Sequence, residues 1–155
     1  MDKLKTATAN LGRIILALTF ILSGYVKAID PLGTQYKIQD YLAAMSLAQF
    51  APDWATLAAS VLLATAEFAL GIFMLFAIRR RLVSRLMLAV MTVMTLLTVW
   101  IAAANPVKDC GCVGDAIKLT NTETLLKNIV LLACAVAVAM WPKRMPRLIS
   151  RSNQW

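Results

Sequence analysis

Cys110-Gly111-Cys112 is the stretch of this sequence whose residue types and spacing best suit chemistry. A disulfide needs Cα atoms within about 4.4–6.8 Å, so thiols at i and i+2 can be bridged where the chain turns. Gly111 makes such a turn cheap. The ring that closes is small and strained, and strained, exposed disulfides are the more easily reduced. That suits a disulfide that exchanges. The same pair also suits a permanent staple of the loop, or a metal site, although the chain has no His and no other clustered thiol. Lys108 and Asp109 could set which thiol is the nucleophile, because cations lower a thiol pKa and anions raise it.

Glu67 is the second candidate. It interrupts an apolar run near its middle, where a carboxylate is costly and usually marks a function. No Lys or Arg is expected at its depth, so the sequence reads it as protonated or hydrogen-bonded, with Thr92, Thr95 or Thr19 as partners. It is then either a polar clasp between helices or a proton carrier or ligand contact. Cys134 falls mid-run and reads as a small core residue, too deep to meet Cys110. Met87, Met91 and Met94, with Thr92, Thr95 and Thr98, read as packing faces, and Arg13 and Lys27 as residues that snorkel from the ends of the first run.

The elements that position these residues are membrane spans. Of the 155 residues, 60% are apolar and 15% charged, against about 25% charged in ordinary soluble domains. Mean hydropathy is +0.70. A soluble domain this small has too much surface to hide so much apolar side chain, which excludes a cytosolic enzyme, a disordered tail and a small disulfide-stapled scaffold. Four apolar runs, about 11–29, 54–78, 82–104 and 125–141, are long enough to span a bilayer,. Helix is the conformation that satisfies their backbone internally. Val26-Lys27-Ala28 resembles a signal-peptide cleavage site, but the first run is read as a retained span. The expected fold is all-α: one domain over 1–155, a four-transmembrane-helix bundle.

The net charge of +8 reports topology rather than nucleic-acid binding. Eleven of the 16 Lys and Arg fall on the N-terminus, the 79–85 connection and the C-terminus; six of the eight acids lie on the other side. By the positive-inside rule both termini are cytoplasmic, with anionic lipid as a further partner. Asp30-Pro31-Leu32-Gly33 is a turn signal. The amphipathic stretch after it (Tyr36, Ile38, Tyr41, Leu42, Met45, Leu47) is expected to lie as a short periplasmic interfacial helix across the bundle mouth. Asn105-Pro106 stops the third span, and Thr120 with Glu123 forms a capping box that opens the fourth.

Ser23-Gly24-Tyr25-Val26-Lys27, Asp30-Pro31-Leu32-Gly33-Thr34, Glu67-Phe68-Ala69-Leu70-Gly71, Asn105-Pro106-Val107-Lys108-Asp109-Cys110-Gly111-Cys112-Val113-Gly114-Asp115 and Lys127-Asn128 together resemble the DoxX/MauE family, its Bacteroidetes members above all. The likeness covers nearly the whole chain, and the cysteine loop is its most specific part. Relatives usually read Cys-Gly-Cys-Phe-Gly-Asp there; Val113 replaces the Phe and removes an aromatic able to stack on a ligand. The resemblance implies a four-helix bundle like that of DsbB and vitamin K epoxide reductase. It also implies thiol–disulfide redox chemistry with Cys110 and Cys112 as the exchanging pair, and a quinone as electron acceptor. Glu67, Lys27 and Asp109 are the candidates for holding that cofactor, and a periplasmic thioredoxin-like or other envelope protein is the expected partner. The rival readings are a non-enzymatic membrane subunit or scaffold of an envelope complex, and a small-molecule or ion carrier that uses Glu67.

Overall fold

A computed structural model describes residues 2–104, 120–142 and 145. The cysteine loop, with Lys108, Asp109, Cys110 and Cys112, lies outside the described residues. Those described are helical, in the order α1 (Asp2–Ile29), α2 (Pro31–Ala44), a 3-10 turn (Ala48–Phe50), α3 (Asp53–Leu75), α4 (Arg80–Ala104) and α5 (Asn121–Met140). Four are long and apolar enough to cross a membrane: Thr6–Ile29 within α1, then α3, α4 and α5. The all-α expectation is met.

The four long helices alternate in direction. α1 lies between α3 and α5, and α4 between α5 and α3, so α1 and α4 share one diagonal. One end of the bundle carries the 76–79 connection and is called here the Arg79 end. The opposite, Asp30 end carries α2, the start of α3, the end of α4 and the start of α5. Leu16, Ala17 and Phe20 of α1 pack with Met74, Met87, Met91, Leu131, Ala135 and Val138 to form the core. The outward faces are apolar too, with Leu18, Leu22, Val93, Leu96 and Ile129 exposed, as a helix does when its solvent is lipid.

The closest approach is between α1 and α3, and two glycines make it possible. A Cβ on Gly24 would stand 2.6 Å from the Phe68 nitrogen, and one on Gly71 would stand 2.8 Å from that of Ile21. Small residues of this kind let helix backbones come together where lipid gives no hydrophobic drive for association.

Helix ends explain where the observed elements differ from the expected runs. The second span stops at Leu75 rather than 78 because Ala77 takes a left-handed conformation, φ 54°. Its N–H donates to Met74 O, and that of Ile78 donates to Phe73 O, a Schellman stop. α2 ends in the same way on Ser46, φ 59°, with Ser46 N donating to Ala43 O and Leu47 N to Leu42 O. The expected capping box is present: Thr120 Oγ1 accepts from Glu123 N, and Glu123 Oε2 accepts from Thr120 N at 2.9 Å. It starts the fourth span at Asn121 rather than 125.

Asp30-Pro31-Leu32-Gly33 is a helix start. Asp30 caps α2, accepting from Gly33 N at 2.9 Å, and Pro31 occupies the first helical turn, where its missing N–H costs nothing. α2 then packs along the first turns of α3. Ser60 Oγ donates to Pro31 O at 2.7 Å, Gln35 to Asp53 O, and Gln39 to Asp53 Oδ1.

Candidate functional site

Lys27 Nζ donates to Glu67 Oε2 at 2.6 Å, joining α1 to α3 by a buried ion pair. Ser23, one turn earlier on α1, donates to the same carboxylate oxygen at 2.8 Å and accepts from Lys27 at 2.7 Å. Lys27 is 3% and Glu67 6% exposed. The charge of each is therefore met by a partner and a hydroxyl, the condition under which a buried pair is tolerated.

This geometry corrects the sequence reading of Glu67. A basic residue does lie at its depth. Depth counted along the apolar runs places all of them in one plane, but α3 starts further out, beside α2. The Ser60–Pro31 hydrogen bond and the Gly24–Phe68 contact bring the middle of α3 level with the last turns of α1. Helical side chains also lean toward their own N-terminus. Because α1 and α3 are antiparallel, Lys27 leans inward and Glu67 leans toward the Asp30 end, and they meet. Lys27 does not snorkel, and Arg13 is likewise buried.

The threonines expected to hold Glu67 bond to their own helices instead. Thr19 donates to Ile15 O, Thr92 to Leu88 O and Thr95 to Met91 O. Thr98 bonds back to Met94 O and Thr95 O, and accepts from Asn128 Nδ2 of α5 at 3.3 Å. Ser23, Lys127 and Asn128 are the site residues that sequence reasoning missed. Their signal was polarity within otherwise apolar helices. The packing reading of the Met and Thr rows holds at Met87, Met91, Thr95 and Thr98, which are buried; Thr92 is exposed. Cys134 is half-buried against the core, opposite Gly12, in keeping with its packing role.

Beside the pair is a cavity of about 30 Å³, partly open and lined by Thr19, Phe20, Ser23, Glu67, Met91, Met94, Lys127, Asn128 and Leu131. It has room for one or two water-sized groups. No cluster of His, Cys, Asp and Glu able to hold a metal occurs among the described residues.

Fold and site together define a multi-pass helical membrane protein whose span interfaces are fastened by a buried Lys–Glu–Ser triad. The chain belongs to the MauE family: the model of methylamine utilisation protein MauE matches residues 5–141. No curated protein and no solved structure matches it.

Proposed function

We propose that this protein is an inner-membrane thiol–disulfide redox protein of one domain, with Cys110 and Cys112 as its exchanging pair. The observation that carries the reading is where the motif is tethered. Residues 105–119 connect Ala104 of α4 to the Thr120 cap of α5, both at the Asp30 end. That is the end opposite the arginine-rich 79–81 turn, which the positive-inside rule assigns to the cytoplasm. The motif therefore faces an oxidising compartment, where disulfides form and persist. The family resemblance carried by the Cys-Gly-Cys-Val-Gly-Asp loop supports the same chemistry, and α2 would lie at the periplasmic interface.

In the proposed reaction a partner thiolate attacks the Cys110–Cys112 disulfide and forms a mixed disulfide, expelling one cysteine as a thiolate. The partner's second thiolate resolves it. The partner leaves with a disulfide, and this chain holds a dithiol. Two electrons and two protons then pass to a quinone, giving a quinol and restoring the bridge. To re-form the bridge the quinone would have to come within reach of the cysteine loop, where Asp109 is one of the candidates for holding it. A thioredoxin-like envelope protein is the fitting partner.

Trapping tests this reading. A Cys110→Ala or Cys112→Ala chain has no bridge to reduce, but its remaining thiolate can attack the oxidised partner's disulfide. Without its neighbour it cannot go on to re-form the bridge, so the mixed disulfide should accumulate and be identified by mass spectrometry. Absence of any adduct from both variants, in cells where the native pair is oxidised, would favour a staple that shapes a docking loop on a non-enzymatic subunit.

A further inference from the structure

The Lys27–Glu67 pair neutralises itself, yet a second ammonium shares its cavity. Lys127 of α5 lines the same space and interacts electrostatically with both members of the pair. Glu123, four residues earlier on α5, stands at the spacing for a helical ion pair, but it is turned into the Thr120 cap. Among the described residues Lys127 has neither a hydrogen bond nor an ion pair. The facing stretch of α4, 86–104, holds no titratable side chain. Among the described residues two ammoniums thus stand against one carboxylate. Lys127 is half-buried, and a charge drawn partly out of water gains from a counterion.

The cavity's size and walls say what would balance it. About 30 Å³ is room for one or two water-sized groups, so a compact guest fits it as it stands. Ser23 and Asn128 offer polar edges, while Phe20 and Met91 form an apolar wall. We propose that this cavity binds a compact monovalent anion, a halide ion or the carboxylate end of a small molecule, held by Lys127 beside the Lys27–Glu67 pair. Glu67 sets the affinity: its carboxylate repels the guest and occupies Lys27. This site is independent of the thiol chemistry.

The test is thermal unfolding of the full chain in detergent, with chloride or formate replacing gluconate at constant ionic strength. Saturable stabilisation is expected, by chloride alone for a halide site, by formate alone for a carboxylate site, and by both for a general one. Lys127→Met should abolish it. Glu67→Gln frees Lys27 and removes the repelling charge, so its apparent affinity should rise about tenfold. That gain cannot come from misfolding, so it decides the matter even if Lys127→Met fails to fold. No anion response in either the native chain or Glu67→Gln, or the same affinity in both, would overturn the proposal.

Discussion

Glu67 is held by two donors from one turn of α1, so its charge rather than its polarity should govern its contribution to stability. Removing one partner of a buried pair leaves the other charge unmet, at a cost of about 3–5 kcal/mol. Glu67→Gln in an anion-free buffer should therefore lower the unfolding free energy by about that amount, measured by denaturant titration in detergent. Replacing both partners, Lys27→Met with Glu67→Leu, should recover most of the loss, because a packed apolar pair is close to neutral relative to an ion pair. A silent Glu67→Gln would mean that the carboxyl is protonated and the pair is not ionic. The sequence marked Glu67 as costly but could not supply its partner. That partner depends on how far α3 is offset from α1, and the offset is set by a hydrogen bond from Ser60 to Pro31 that no local pattern announces.

Among the elements, α1 and α3 are the pair most sensitive to small changes. A methyl group on Gly24 or Gly71 meets backbone atoms at 2.6–2.8 Å, whereas one on Gly12 meets Cys134 and Val138 at 3.4 Å. Gly24→Ala and Gly71→Ala should each force the helices apart and cost about 1–3 kcal/mol, while Gly12→Ala should be tolerated. Equal effects at all three positions, by thermal unfolding, would refute the close approach. The Schellman stops give a prediction of opposite sign. Ala77 and Ser46 hold left-handed conformations without being glycine, so Ala77→Gly should stabilise the protein by up to about 1 kcal/mol. The helix start at Thr120/Glu123 was legible because its capping chemistry lies in side chains; Asp30-Pro31 is a start too, but Pro followed by Gly reads equally as a turn. The two stops were not, because Ala77 and Ser46 lack the glycine that usually marks one.

For the whole molecule, the four spans were legible from apolar length alone, and the structure shifts their ends by a few residues. Their orientation rests on charge. Arg80 and Arg81 lie in the first turn of α4, where cations oppose the helix dipole. They are placed there against local helix preference, as residues that anchor a cytoplasmic turn would be. At the opposite end Tyr25, Tyr36, Phe50 and Trp54 are exposed, as an aromatic belt at a membrane interface would be. Single cysteines at Arg80 and Gln39, in a background without native thiols, should label from opposite faces, with Arg80 cytoplasmic. Labelling from one face would contradict the proposed topology. The central claim, that Cys110 and Cys112 exchange, is tested most directly by redox titration with thiol-specific mass tagging in nanodiscs. A working pair should open under mild dithiol above about −250 mV, within reach of thioredoxin-like partners, with Cys134 untouched and helicity unchanged. A bridge that resists reduction until denaturant is added would contradict it.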